Sequence, residues 1–281
     1  MNLLNENREN LVDILSLSKR GVTAFVGAGG KTETMNVLTR EFGLADTIYT
    51  TTTAIQLPQK FPWMLELVDG PCQLQRVLQG YEDKNYAGFK SYGLEGSRPV
   101  LVIGRKLSDP VPGGARKLLG IKPKWLDQAL PENFSLPILV EADGAARHSL
   151  KAPAEHEPAL PEKLSTLVII QGAPALGRKA SSPHCFRSEK IKDRTSLPGS
   201  RLYASLSLYC RLFAGRPGYG KHLCSGDKAQ LVLARAIPAR REFCRRLGFE
   251  LESLAGEKFA DFTALSYRRG LKVIYQHSLH G

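Results

Sequence analysis

The chain has 281 residues, of which 42% are hydrophobic and 23% charged, a composition that excludes a disordered or fibrous protein. Its formal net charge of +12 suits anionic ligands such as nucleotides, nucleic acids or acidic proteins. Because there is neither an apolar run of about 18 residues nor the apolar core of a signal peptide, we expect a cytoplasmic protein with no membrane partner.

The first predicted element is a helix over residues 7–18. Leu11, Ile14 and Leu15 recur there at helical spacing, and we expect this helix to cover an edge of a sheet.

The sequence that follows predicts a phosphate-binding loop. An apolar run over residues 22–26 reads as a strand, and a helical pattern over 31–42 ends at Gly43. Glycines between the two let several backbone N–H groups approach phosphate oxygens, while a lysine reaches the outer phosphates and a threonine hydroxyl binds Mg²⁺. Phe25 stands where the usual G-x-x-x-x-G-K-[ST] motif begins with glycine, so the loop is a shortened version, similar to that of Mur-type ligases. The predicted phosphate-binding residues are Gly27, Ala28, Gly29, Gly30, Lys31 and Thr32.

A second predicted strand, residues 47–49, runs into four consecutive threonines at 50–53. Threonine hydroxyls can bind Mg²⁺ without adding negative charge, and Thr51 is the candidate metal ligand among them. The alternative is a plain strand end, since β-branched residues favour strands.

The irregular parts of the sequence are residues 56–97 and 104–130, which are rich in proline and glycine. We expect them to be insertions around a third strand at 100–103, with a helix at 71–78 and another that begins near Trp125. The segment 112–114, Pro-Gly-Gly, reads as part of a loop over the site.

The next landmark is an apolar strand, from residue 137, that ends in Glu141 and Asp143. Carboxylates two residues apart on a strand point to the same face, so both can address one Mg²⁺. Either can also orient a nucleophile, which makes both candidate catalytic residues. The alternative is an ordinary solvated strand end.

A proline-bearing loop over residues 147–158 follows directly. Lys151 can neutralise a phosphate or an acidic substrate. Glu155 and His156 are candidates for proton transfer, and a histidine between two glutamates also leaves a metal site open.

These segments together resemble the YqeC family, whose members are described as accessory proteins of selenium-dependent molybdenum hydroxylases. The motifs that carry the resemblance are Val-Gly-Ala-Gly-Gly-Lys-Thr at 26–32, the four threonines, Glu-Ala-Asp-Gly at 141–144 and Leu-Lys-Ala-Pro-Ala-Glu-His-Glu-Pro at 150–158. The resemblance implies a nucleoside triphosphate-dependent step in maturing a molybdenum enzyme, with the hydroxylase apoprotein as a partner.

Two further segments are interpreted through that resemblance. Residues 183–189 are similar to an arginine-containing segment of the family, so Arg187 is a candidate phosphate contact. Relatives carry a guanine-reading Asn-(Lys/Gln)-x-Asp-like signature where this chain has Ser-Gly-Asp-Lys at 225–228, and the base therefore stays open between ATP and GTP.

The five cysteines are scattered without a Cys-x-x-Cys pair, which argues against structural zinc and against a disulfide framework. Cys185, beside His184 in a polar stretch, is open to interpretation as a reactive thiol or as an ordinary loop residue.

Further strands are expected at 167–170, 221–224 and 271–275, and helices at 202–213 and 239–247. The 13 basic and 6 acidic residues from 211 to 281 lie along apparent helices rather than between aromatic residues, so a solvated helix face is favoured over a nucleic-acid interface.

The alternation of strands and helices predicts an α/β fold, a single P-loop NTPase-like domain over residues 1–281 with a mostly parallel sheet, helices on both faces and the ligand at the carboxyl ends of the strands. Three functions are open. The first is a Mg²⁺-dependent NTP-hydrolysing maturation factor. The second is an enzyme that transfers a phosphoryl or nucleotidyl group to a small molybdopterin- or selenium-related substrate, with Asp143, Glu155 or His156 as the base. The third is a nucleotide-gated scaffold without significant turnover.

Overall fold

A computed structural model describes residues 10–57, 60–61, 63–84, 99–106, 117–181, 183–195, 203–215, 218–222, 229–255, 259–268 and 270–279. The α-helices are α1 (Leu11–Ile14), α2 (Lys31–Phe42), α3 (Pro71–Glu82), α4 (Pro123–Ala129), α5 (Ser188–Thr195), α6 (Leu206–Phe213) and α7 (Arg241–Ala255). The strands are β1 (Gly21–Gly27), β2 (Ile48–Thr51), β3 (Ala54–Gln56), β4 (Met64–Leu67), β5 (Val100–Ile103), β6 (Arg105–Lys106), β7 (Lys117–Leu119), β8 (Pro137–Glu141), β9 (Leu150–Lys151), β10 (Thr166–Gly172), β11 (Cys185–Phe186), β12 (Ala229–Ala234), β13 (Phe259–Ser266) and β14 (Lys272–Ser278).

A nine-stranded sheet forms the centre of the fold, in the order β14-β13-β12-β10-β1-β8-β2-β5-β4. Its neighbouring strands run parallel, apart from β13 and β14, which are antiparallel. β1 therefore lies inside the sheet, between β10 and β8, and its carboxyl end is flanked by the ends of both.

Helices cover both faces of this sheet because the strands are apolar on both sides. Along β1, the face of Val22, Ala24 and Val26 packs with residues of α3, α4, α6 and α7. Phe25 points to the other face, where it packs with α1 and α2. The predicted class, a mostly parallel α/β sheet with helices on both faces, is confirmed.

Two of the expected elements differ from the structure. The first described helix spans Leu11–Ile14, with Asn10 as its N-cap, and it is shorter than expected, while residues 7–9 lie outside the described residues. It packs with α2 in the core over one sheet face, and the Ile14 carbonyl also accepts a hydrogen bond from Gln276 of the edge strand β14. The strand expected at 221–224 is wrong, since Tyr219–His222 is a 3₁₀ helix and the strand is Ala229–Ala234, whose residues are all buried.

The irregular insertions contain strands that their composition hides. Residues 64–67 form β4, the edge of the main sheet, and β6 and β7 join β3 in a small three-stranded sheet. The Pro-Gly-Gly segment at 112–114 and the Ser-Gly-Asp-Lys segment at 225–228 lie outside the described residues. No helix in the described part of the chain is long and apolar enough to cross a membrane.

Candidate functional site at the glycine loop

The glycine loop joins β1 to α2 and is packed too tightly for side chains. Gly27 and Gly29 have φ values of +98° and +82°, a region that L-residues rarely adopt. A Cβ on Gly27 would lie 1.8 Å from the Ile170 carbonyl oxygen, and one on Gly29 would lie 2.7 Å from the Ser149 carbonyl oxygen. The loop is thus held between β10 and the chain that leaves β8.

The amino end of α2 is open to an anion. Gly30 is its N-cap, and no side chain in the described part of the chain caps the helix. The first N–H groups of an α-helix have no intrahelical partner. These N–H groups and the positive end of the helix dipole favour a phosphate. Thr32, in the same turn, is exposed, whereas the Ala28 N–H is used by the Ile170 carbonyl at 2.8 Å.

Lys31 is folded back under the loop in this structure. Its Nζ donates to the Gly27 carbonyl at 2.5 Å and lies 2.9 Å from Asp143 Oδ1 and 3.9 Å from Glu141 Oε1. The side chain is only 4% exposed. The carboxylates of Glu141 and Asp143 therefore lie near the same cation, the Lys31 ammonium.

Asp143 is completely buried and surrounded by donors. Its oxygens accept the Gly27 N–H, both ammonium groups of Lys31 and Lys151, and the Tyr219 hydroxyl at 2.5 Å. Burial alone would raise the pKa of Asp143, but these donors outweigh it and hold the pKa below its usual value. Its predicted catalytic and metal roles stay predictions, and either requires a lysine to leave first.

Lys151 extends the cluster away from the loop. Its Nζ, also fully buried, donates to Asp143 Oδ2 at 2.9 Å and to the Gly144 carbonyl at 2.6 Å, and it lies 3.0 Å from Glu157 Oε2. Glu157 in turn accepts a hydrogen bond from Arg187, whose guanidinium stacks on the Phe186 ring. Lys151 and Arg187 form a chain of alternating charges with Asp143 and Glu157, and their roles as phosphate contacts stay predictions.

Glu141 is the more available carboxylate of the pair. It is 12% exposed, and its Oε2 accepts the Tyr49 hydroxyl at 3.1 Å while Oε1 has no hydrogen bond to a described residue. Burial raises the pKa of Glu141, the Lys31 ammonium lowers it and the neighbouring Asp143 raises it again, with a net upward shift. This side chain can exchange a proton or bind a cation more readily than Asp143 can.

The candidate metal ligands divide into two kinds. The Thr51 hydroxyl donates to the Glu141 carbonyl at 2.8 Å and accepts the Thr53 N–H, so it ties β2 to β8 rather than facing a ligand. Thr32 and Glu141 have oxygens without a hydrogen-bond partner among the described residues, and they fit Mg²⁺, which usually takes one or two protein oxygens beside phosphates and water. Within the described ranges, no group of three or more His, Cys, Asp or Glu residues is placed to hold a metal ion without a nucleotide.

Glu155 and His156 are exposed on the loop between Lys151 and Glu157, whereas those two flanking residues belong to the buried chain of charges. Their roles in proton transfer stay predictions.

Cys185 is buried, and burial raises the pKa of its thiol to about 12, so its reactive thiolate is not populated at neutral pH. Burial thus favours the interpretation of Cys185 as an ordinary residue over that of a reactive thiol.

Comparison with known proteins gives the family. The sequence profile described as YqeC protein matches residues 23–189, which span the glycine loop, the Glu141 strand and the Arg187 segment. The chain belongs to the YqeC family. A relative from Escherichia coli (strain K12), described as the uncharacterized protein YqeC, is 35% identical over 81 residues, which are 29% of this chain and 32% of the relative. The chain thus spans about a third of the length of the curated relative it matches. No solved structure matches it.

Several residues of this YqeC-family site escape sequence reasoning. Tyr219 comes from a glycine-rich turn far along the chain and gives no motif, while Gln171 pairs with the backbone of Lys151 through both ends of its amide. Tyr49 was accessible to prediction, since strand alternation places it on the same face as Thr51. Glu157 lies inside the motif at 150–158, yet its contacts depend on the fold.

Glu157 should make part of the stability of the protein pH-dependent. Burial raises the pKa of Glu157, but hydrogen bonds from Arg187 and the Ala154 N–H and the charge of Lys151 lower it by more. The net result is a pKa of about 2, compared with an ordinary 4.5. A carboxylate whose pKa is lower in the folded than in the unfolded protein contributes to the free energy of unfolding. That contribution is fully present above pH ~4.5 and is lost as the pH falls towards ~2. We expect Glu157→Gln to destabilise the protein at neutral pH, with a difference from wild type that shrinks below pH ~4.5.

Urea unfolding followed by circular dichroism at several pH values between about 7 and 3.5 measures this difference. Glu132→Gln is the matched control, because Glu132 is exposed and lies outside the charged chain. A wild-type-minus-variant difference for Glu157→Gln that stays constant down to the lowest pH would contradict the prediction.

Proposed function

We propose that this chain binds the phosphates of a nucleoside triphosphate at the loop from Gly27 to Thr32 and hydrolyses ATP or GTP with Mg²⁺, as an accessory factor in maturing a selenium-dependent molybdenum hydroxylase. The observation that carries the proposal is the uncapped amino end of α2 directly after a tight glycine turn on an interior strand. The maturation role rests on the family resemblance alone.

In the proposed cycle Lys31 changes partners. It leaves Asp143 and the Gly27 carbonyl and moves to the outer phosphates, where its charge offsets theirs. Asp143 then keeps Lys151, which contacts its other oxygen at 2.9 Å, so this buried carboxylate is not left without a cation. The buried chain thus makes release of Lys31 less unfavourable.

Mg²⁺ would arrive with the nucleotide. Thr32 and Glu141 are the residues with oxygens free to hold it directly or through its waters. The ion would supply charge neutralisation at the phosphates, while Tyr49 orients Glu141 through its hydroxyl.

A second candidate function is phosphoryl or nucleotidyl transfer to a small substrate. The observation that favours it is Glu141, a partly exposed carboxylate with a raised pKa beside Lys31, which suits a general base. Phosphate release stimulated by a hydroxylase apoprotein supports the first candidate. A modified small molecule detected by mass spectrometry supports the second, and nucleotide binding with neither result supports a nucleotide-gated scaffold.

Lys31→Ala is expected to weaken nucleoside triphosphate binding at least about tenfold, or roughly 1.4 kcal/mol, because it removes the cation that meets the outer phosphates. Isothermal titration of wild type and variant with ATP, GTP and CTP in the presence of Mg²⁺ measures the effect and identifies the base.

Lys19→Ala is the matched control, since Lys19 is exposed ahead of β1 and its replacement removes the same charge. Lys31→Met, which keeps the apolar length of the side chain, separates loss of the charge from loss of packing. Equal affinities of wild type and both Lys31 variants for every nucleotide would overturn the proposed site.

A further inference from the structure

A cavity opens near the carboxyl ends of the parallel strands, the edge of the sheet at which the glycine loop also lies. It has a volume of about 370 Å³ and lies between the segment that follows β10 and the beginnings of α6 and α7. We call it the arginine cavity, and the residues that matter for its chemistry are Leu176, Tyr203, Leu206, Arg240, Phe243 and Arg246.

The walls of the arginine cavity are held in place by backbone pairing. The Gly177 N–H donates to the Ala204 carbonyl at 3.0 Å, and the Ala204 N–H donates to the Arg178 carbonyl at 2.8 Å. Phe243 packs edge-to-face on the buried Tyr209, with ring centroids 5.8 Å apart. The cavity is therefore preformed, as small-molecule sites usually are.

Its lining carries a net positive charge, because it contains Arg240, Arg246 and one acidic residue, Glu242. Arg240 and Arg246 are exposed, and neither forms an ion pair with the part of the chain that the structure describes. Glu242, the acidic residue of the lining, is already held by both Nε and a terminal nitrogen of Arg245 at 2.8 Å. The two arginines are consequently available to an anion, while the first turns of two helices add partial positive charge.

Its remaining lining is apolar or aromatic. Tyr203 is 53% exposed, and Leu176, Leu206 and Phe243, which line the cavity with it, are partly buried. Guanidinium groups bind phosphate and carboxylate through paired hydrogen bonds, and aromatic faces accept flat apolar groups.

We infer that the arginine cavity binds a small organic anion, with its phosphate or carboxylate on Arg240 and Arg246 and its aromatic or aliphatic body between Tyr203 and Phe243. The volume suits a ligand of one or two rings. This site is separate from the one proposed at the glycine loop.

A physical connection between the two sites nevertheless exists. Tyr209, which packs on Phe243, donates its hydroxyl to the Gly172 carbonyl at 2.7 Å, and Gly172 packs against Gly29 of the glycine loop. The base and ribose of a nucleotide bound through its phosphates at the glycine loop carry no anionic group, so the anion of the arginine cavity belongs to a second ligand.

The test uses 4-fluorophenyl phosphate as the probe and fluorine NMR titration of the full chain. We expect saturable binding of the probe to the wild type, and an affinity at least about tenfold lower in the double variant Arg240→Ala/Arg246→Ala. The uncharged 4-fluorobenzyl alcohol should bind to the wild type more weakly than the probe by a similar factor. Arg241→Ala is the matched control, because Arg241 is exposed at the start of the same helix and does not line the cavity. Circular dichroism confirms folding, and Arg246→Gln serves if the double variant unfolds.

Lys31→Ala keeps this test apart from the proposed function, since it should leave probe binding unchanged. Probe binding that is lost in Lys31→Ala, or that weakens equally in Arg241→Ala, overturns the inference, as does the lack of saturation below about 10 mM. Addition of ATP with Mg²⁺ then tests whether the two sites are separate. Persistence of the probe supports a second ligand in the arginine cavity, whereas displacement of the probe in wild type but not in Lys31→Ala would mean that the bound nucleotide reaches the cavity and would overturn the inference.

Discussion

Replacement of Asp143 by alanine is expected to lower the free energy of unfolding by about 3–5 kcal/mol, because it removes the carboxylate that two buried ammonium groups share. Lys31 and Lys151 both lie 2.9 Å from Asp143 and are 4% and 0% exposed. The Gly27 N–H and the Tyr219 hydroxyl lose their acceptor in the same step. Urea unfolding at neutral pH measures the loss.

A compensating substitution sharpens this prediction. The buried cluster contains three cations, Lys31, Lys151 and Arg187, and three carboxylates, Glu141, Asp143 and Glu157. Lys151→Met combined with Asp143→Asn removes one of each and leaves the others paired. We expect the double variant to be more stable than Asp143→Asn alone.

Two results would contradict this picture of the cluster. One is an Asp143→Ala variant within about 1 kcal/mol of wild type, which would mean that water already reaches the buried lysines. The other is a double variant in which the two losses simply add, which would mean that the two residues are not coupled.

Local signals in the sequence were sufficient for the framework around this cluster. The β1 strand, the helix from Lys31 to Phe42 and the strand Val100–Ile103 follow from apolar runs and from a glycine stop, and the structure has them where the patterns place them. The carboxyl ends of parallel strands meet at one edge of a sheet, so the meeting of β1 with β8 was also within reach.

What could not be predicted depends on contacts between distant parts of the chain. Tyr219 reaches Asp143 from a turn 76 positions away, and no periodicity marks it. The β4 strand is partly exposed at the edge of the sheet and sits among prolines and glycines, so its pattern is weak. The sequence also suggests that charged residues near the loop contact the ligand. In the structure Lys151 pairs with Asp143, and Arg187 pairs with Glu157.

This difference changes the interpretation of the glycine loop. Motif reasoning assigns Lys31 directly to phosphate, yet in the structure Lys31 has a carboxylate and a carbonyl as partners. Binding of an anion at the loop must therefore compete with Asp143, and the gain in affinity from Lys31 is reduced by the interactions that it gives up.

The backbone of the loop leads to the second large effect, that of Gly27→Ala. We expect the free energy of unfolding to fall by more than about 3 kcal/mol, because the new methyl group would lie within bonding distance of a carbonyl oxygen. The Cβ position is 1.8 Å from the Ile170 oxygen and 2.9 Å from the Ile170 carbonyl carbon, both in the adjacent strand β10, whose backbone is fixed by pairing on both sides. Nearby rotamer changes cannot relieve a clash with backbone.

Gly270→Ala is the control that isolates this clash from backbone strain. Gly270 has φ +104°, close to the +98° of Gly27, but a Cβ there meets nothing within 4 Å. The left-handed conformation alone costs an alanine roughly 1–2 kcal/mol. We therefore expect Gly270→Ala to show only that smaller loss in urea unfolding. Equal losses in the two variants would mean that β1 can shift away from β10 at its carboxyl end, and the loop would then lack the rigidity that fixed N–H groups require in a phosphate site.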